Sequence, residues 1–215
     1  MTTPKKQDHS QLFFHDGYLL GLQAAKYHDE PEKWNAVMHT FYQTIDELLD
    51  ALLDYARQSK VSVDCCKGCS QCCYQPVFAN DYEISYLRHS ILTNFPPDVI
   101  GRIRQKAMDK NKTVRELTPA QVLIHKQACP LLKDNVCSIY EARPVACRIY
   151  LSMDVTSCTN FFHHPQDPDH YPRLLDFPLK AGRMINQGFS AALKESGIES
   201  YEMRLEELFE KTANR

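Results

Sequence analysis

Glycine is scarce in this chain, 7 residues of 215 against 12 prolines. Loops that cradle phosphate need closely spaced glycines, and neither a Walker loop nor a dinucleotide-binding glycine string is present. A nucleophile elbow and a His-Glu-x-x-His pair are missing as well. Charge of one sign is also lacking: 25 Lys and Arg stand against 27 Asp and Glu, for a net charge of −2. That balance offers no electrostatic case for nucleic acid or an anionic membrane as partner. No apolar run approaches the roughly 20 residues that span a bilayer. The opening "MTTPKKQDHSQLFF" has neither the apolar stretch nor the small-residue cleavage site of a signal peptide. These absences predict a cytoplasmic protein that engages neither membrane nor nucleic acid.

Convincing strand-like alternation is missing too, whereas helical periodicity recurs. In "PEKWNAVMHTFYQTIDELLDALLDYARQ", from Pro31, the residues Trp34, Val37, Met38, Phe41, Ile45, Leu48, Leu49 and Leu52 follow three- and four-residue steps. The spacing predicts one long amphipathic helix whose stripe packs a core. "QLFFHDGYLLGLQAAKYH" reads as an earlier helix, interrupted or softened near Gly17 and Gly21. Asn80 three residues before Glu83 forms a capping-box pattern. Pro96 and Pro97 open another helix, and Thr118 with Pro119 a short one. Residues 160–178, with four prolines and three histidines, read as loop. "LKAGRMINQGFSAALKES" and "SYEMRLEELFEKT" read as two closing helices around Gly197. The expectation is a mainly α fold. A single domain spans 1–215, with a cysteine-rich, loop-rich metal-binding region at 65–158 and flanking helices over 1–60 and 174–212.

Nine cysteines are present, about 4 % of the chain and well below the roughly 8–10 % of small disulfide scaffolds. In a reducing compartment such clustered thiols point to metal or catalysis rather than to bridges. Five fall in "DCCKGCSQCCYQ". Cys66, Cys69, Cys72 and Cys73 give a Cys-x2-Cys-x2-Cys-Cys run, with Cys65 just ahead. A Cys-x2-Cys step lets two sulfurs converge across a tight turn, and Gly68 relieves the backbone there. Repeating the step gives the triple grip also used on iron–sulfur clusters. Because adjacent residues usually point apart, Cys72 and Cys73 are expected to serve different metals, or one metal and one packing role. Cys129, Cys137, Cys147 and Cys158 follow at intervals of 8, 10 and 11 residues. The Lys-Asp-Asn turn within "CPLLKDNVCSIYEARPVACR" can return the chain so that Cys129 and Cys137 meet. The second set is expected to adjoin the first and complete its coordination.

This combination resembles the CxxCxxCC family, the YkgJ-like cysteine-cluster proteins, whose members are described as chelating zinc or iron. Cys66, Cys69, Cys72 and Cys73 match the first part of its pattern. Cys137, Ile139, Tyr140, Arg143, Pro144, Cys147 and Arg148 match the second, with Cys129 before and Cys158 after. The resemblance implies that Cys66, Cys69, Cys72, Cys73, Cys129, Cys137, Cys147 and Cys158 bind the metal or cluster. Cys65 is an addition to the pattern, and Cys65 and Cys66 compete for one place. A related module occurs in lysine N-methylases acting on flagellin, so the resemblance also admits an enzyme.

Eight such thiols equal two four-thiolate sites, or one cluster plus further cysteines. Zinc suits a closed tetrahedral thiolate site, and iron–sulfur suits the triple step; spacing leaves both open. Four thiolates on zinc leave a local charge of −2, which Lys67, Lys133, Arg143 and Arg148 are candidates to offset. The two arginines read either that way, as substrate-anion residues, or as ordinary surface groups. His125, His163, His164 and His170 are candidate ligands or acid–base groups, with solvated loop histidines as the plainer reading. Three functions compete: a carrier, redox or sensing protein built on an iron–sulfur cluster or zinc; a metal-dependent enzyme such as a protein-modifying methylase or oxidoreductase; and an interaction module held by structural zinc.

Overall fold

The structure is a computed structural model that describes residues 10–210. The ends of the flanking regions expected at 1–60 and 174–212 therefore lie partly outside the described residues. Among the described residues eight α-helices dominate, in chain order α1 (Ser10–Ala25), α2 (Pro31–Gln58), α3 (Asp81–Asn94), α4 (Pro97–Arg115), α5 (Pro119–Ile124), α6 (Val145–Arg148), α7 (Val155–His163) and α8 (Asp176–Glu195). Four short strands complete it: β1 (Phe78–Asn80), β2 (Leu132–Lys133), β3 (Val136–Cys137) and β4 (Glu202–Arg204). The fold is mainly α, with the cysteine-rich region in mid-chain. No helix among the described residues is long and apolar enough to cross a membrane.

The predicted stripe of α2 is the spine of the core. Trp34, Val37, Met38, Phe41, Ile45 and Leu49 are buried along it, and Pro31 sets the first turn without forfeiting a hydrogen bond. Facing it are Tyr82 and Leu87 of α3 and Ile185, Phe189 and Leu193 of α8, within one continuous cluster of buried residues. Ring centroids of Phe41 and Phe189 lie 4.5 Å apart, and those of Tyr82 and Phe189 5.0 Å. The Asn80–Glu83 pattern does open α3, with the Asn80 N–H donating to the Glu83 carboxylate at 3.1 Å. Pro97 begins α4, and Thr118 accepts from the Gln121 N–H at the head of α5.

Three expectations change. First, α1 is unbroken through Gly17 and Gly21. These glycines exist for contact rather than flexibility. A Cβ at Gly17 would stand 1.9 Å from the Ile185 carbonyl oxygen, and one at Gly188 the same distance from that of Phe14. Helices α1 and α8 thus meet backbone to backbone. Second, "SYEMRLEELFEKT" is not a helix over its described part. Glu202–Arg204 pairs antiparallel with Phe78–Asn80, Met203 opposite Ala79, and only a 3-10 turn follows at Leu205–Glu207. The free β1 edge and a pocket for Met203 outweigh a local helical preference. Third, the segment read as loop from 160 begins inside α7, and α8 starts before it ends.

Alanine is about 1 kcal/mol better than glycine within a helix. At Gly188 the blocked space decides the sign, because the obstacle is backbone and overpacking costs about 1–3 kcal/mol or more. Gly188→Ala should therefore lower the thermal midpoint by several degrees. A rise would show that the two helices are free to separate.

Candidate metal centre

Two segments carry the thiols, and local chemistry shapes each. Around Lys67-Gly68 the chain turns so that the Cys69 N–H donates to the Cys66 carbonyl at 3.1 Å. Gly68 takes φ +93°, a value that a side chain strongly disfavours. A 3-10 turn at Gln71–Tyr74 then carries Cys72 and Cys73. In the second segment, Asp134 and Asn135 both have positive φ, 51° and 60°, and close a two-residue hairpin between β2 and β3. Cys137 pairs with Leu132 there, while the Leu132 N–H donates to the Cys129 carbonyl at 3.0 Å. Cys147 sits in the short helix α6, and Cys158, buried, in α7.

The two segments adjoin across 55 residues of intervening chain. The Cys129 N–H donates to the Cys73 carbonyl at 2.7 Å, and the Gln127 N–H to that of Tyr74 at 3.0 Å. The Ser70 hydroxyl reaches Asn135 at 3.2 Å. On the other flank the Asp64 N–H donates to the Ser152 carbonyl at 3.0 Å, and the Ser152 N–H to the Cys65 sulfur at 3.0 Å.

All nine cysteines are free thiols, and the mutual influence of eight of them marks two neighbourhoods. Burial pushes the Cys65 thiol up to about 11, the Ser152 N–H opposes this, and the Cys72, Cys69 and Cys158 thiols add to the rise. Cys158 is raised by burial first, and Cys69 and Cys72 add to it. In the other neighbourhood, burial raises Cys147 well above its ordinary value, with Cys129, Cys72 and Cys137 contributing. Cys129 is pushed up to about 11, again by burial, with Cys137 adding. Cys72 touches both sets. The adjacent Cys73 thiol lowers Cys72 to about 7, and Cys72 in turn raises Cys73. Both lie in the 3-10 turn, where successive residues are separated by about 120° around the axis.

Cations stand where the thiols would need them. Arg143 and Arg148 both lower the Cys137 thiol, and Arg143 lowers Cys147. Lys110 of α4, 4 % exposed, does the same for Cys129. Spacing could not reveal Lys110, which lies 19 positions before Cys129. Lys67 and Lys133 are exposed. Arg148 is 1 % exposed and wholly engaged. It pairs with Asp46 of α2, donates to the Glu141 carbonyl and, at 2.9 Å, to the Arg143 carbonyl, and lies 4.1 Å above the Tyr42 ring. Glu83, 1 % exposed, accepts from the Val145 N–H at 2.8 Å and from the Tyr42 hydroxyl at 3.3 Å. These two side chains set the turn that presents Cys147, and sequence spacing pointed to neither role. The histidines make contacts with one another and with other side chains: the His164 and His170 rings lie 5.2 Å apart, tilted by 38°, His170 is 3.2 Å from the Asp167 carboxylate, and His125 bonds Gln127.

Among the described residues, no group of three or more His, Cys, Asp or Glu is already arranged to hold a metal ion. The thiols are neighbours rather than a finished cage, and in thiolate sites metal binding and ordering of the ligands are coupled. The donor set itself fits a thiophilic metal: sulfur ligands, a backbone N–H to sulfur, and guanidinium and ammonium groups close by.

Residues 65–168 match the model of the CxxCxxCC family, described as a "Putative zinc- or iron-chelating domain". The middle of the chain is thus similar to that cysteine-cluster domain, whose description supports metal binding. No curated protein and no solved structure matches the chain.

Arg148→Lys keeps the charge but cannot reproduce the three-way engagement of the guanidinium. It should cost about 2 kcal/mol or more and weaken metal retention. Full retention of both would remove Arg148 from the support of the site. Burial also raises the carboxyl of Glu83, against the lowering effect of its hydrogen bonds from Val145 and Asn80. A carboxyl raised on folding binds its proton more tightly in the folded state, so its contribution to stability falls as pH rises through that value. Glu83→Gln does not titrate. The stability gap between wild type and Glu83→Gln should therefore narrow from pH 4 to pH 7, measured by denaturant unfolding. A widening gap would reverse the assigned sign.

Proposed function

We propose that this protein binds iron as an iron–sulfur cluster, with zinc the alternative metal, and uses it in a redox or carrier role in the cytoplasm. The whole chain acts as one unit, its flanking helices holding the cysteine segments. The ligands are Cys69, Cys72, Cys73, Cys129, Cys137, Cys147 and Cys158, with an eighth from the Cys65–Cys66 pair. When bound, the metal supplies a centre that thiolates stabilise strongly. The protein's own residues hold the two segments together and offset the thiolate charge with Arg143, Arg148 and Lys110. The observation that carries this reading is the hydrogen bond from the Cys129 N–H to the Cys73 carbonyl, which brings two distant cysteine segments into contact. A metal-binding function also agrees better with Arg148 than an anion-binding enzyme does, because every arm of its guanidinium is already used.

Anaerobic purification with metal and acid-labile sulfide analysis is the test. A brown protein containing iron and sulfide is the expected result. Zinc at one or two equivalents without iron would transfer the reading to zinc. Neither metal at significant occupancy would overturn it. In a loaded sample, a strong chelator should lower the thermal midpoint, since ligand ordering and metal binding are coupled.

A further inference from the structure

We infer that Cys65, the cysteine outside the family pattern, is the eighth metal ligand, and that Cys66 is a free thiol. The inference rests on the metal-binding reading above and deepens it by assigning one position. The resemblance to the family favours Cys66, whose spacing to Cys69 is the Cys-x2-Cys step. Both residues are exposed as whole residues, so exposure does not separate them. The sulfur atoms do.

The Cys65 sulfur accepts the Ser152 backbone N–H at 3.0 Å. An amide aimed at sulfur stabilises the thiolate, the form that ligates, and so prepares the group for metal. The strand of chain before it is stitched to the segment that carries Cys158. Asp64 donates its N–H to the Ser152 carbonyl at 3.0 Å, and its carboxylate accepts the Val155 N–H at 3.1 Å at the head of α7. Three residues into that helix comes Cys158, which packs near the same serine. No hydrogen bond to the Cys66 sulfur occurs among the described residues; Cys66 contributes its carbonyl to the turn.

With Cys65 the ligands number eight, enough for two four-thiolate sites, and Cys66 is left over. Each ligating thiol releases its proton on binding. Ser152 is a positioning residue for Cys65.

Two measurements test the assignment on the full chain, purified anaerobically. The first labels the loaded wild-type protein with N-ethylmaleimide and reads each cysteine by peptide fragmentation. Cys66 should be labelled and Cys65 protected, and removal of metal should expose both. Any other pattern in the loaded protein overturns the inference. The second compares bound metal per chain in single serine variants. Cys65→Ser should lose about half of it, as Cys69→Ser does, and Cys66→Ser should match wild type. Loss in Cys66→Ser with retention in Cys65→Ser would overturn the assignment while leaving metal binding intact. Retention in every variant, Cys69→Ser and Cys147→Ser included, would instead sink the metal-binding reading itself. Labelling of the unmutated protein keeps the test valid if a variant fails to fold.

Discussion

Arg148 and Glu83 together hold the backbone of residues 141–145, and both are almost wholly out of water. The guanidinium satisfies the Glu141 and Arg143 carbonyls while pairing with Asp46 and resting on Tyr42. The carboxylate satisfies the Val145 N–H and bonds the same tyrosine's hydroxyl. A buried charge is costly unless its hydrogen bonds are filled. These two charges are tolerated because the loop supplies the missing partners, and the loop is ordered because the charges supply its own. Tyr42, on α2, is common to both.

That arrangement explains how a helical protein carries a thiol-rich region. Cysteine loops bury little apolar surface, and thiolates gathered together repel one another. The order must come from outside the loops. Helix α2 provides it through Tyr42 and Asp46, α3 through Glu83, and α4 through Lys110. The tight seam between α1 and α8, where glycines let two backbones touch, locks the rest of the bundle against α2. The supporting charges also act on the thiols: Arg143, Arg148 and Lys110 lie close enough to ease ionisation of Cys137, Cys147 and Cys129. Fold and site are therefore coupled through a few side chains rather than through one large pocket.

Much of this was readable in advance. The run of apolar residues from Trp34 to Leu52 defined α2, because a 3.6-residue period is a local property of the chain. Asn80 with Glu83, Pro97, and Thr118 with Pro119 marked helix starts through groups within four residues of each other. Gly68 and the Asp134-Asn135 pair marked turns for the same reason. The inventory of thiols, and with it the class of metal chemistry, needed no coordinates. Each of these features depends on neighbours along the chain, and sequence records those directly.

What only the tertiary structure decided involves partners far apart in sequence. Gly17 and Gly21 read as points where the first helix is interrupted or softened until α8 was laid against them. Glu202–Arg204 had a helical pattern until β1 offered it an edge. The capping glutamate Glu83 proved also to hold the turn before Cys147, 64 residues away. Of the adjacent sulfurs Cys65 and Cys66, it is Cys65 that meets the Ser152 amide, 87 residues on. Composition and local spacing determined that this protein carries a cluster of thiols in mid-chain. Which sulfurs face one another depends on long-range backbone hydrogen bonds and on two buried charges, and those have no signature in local periodicity.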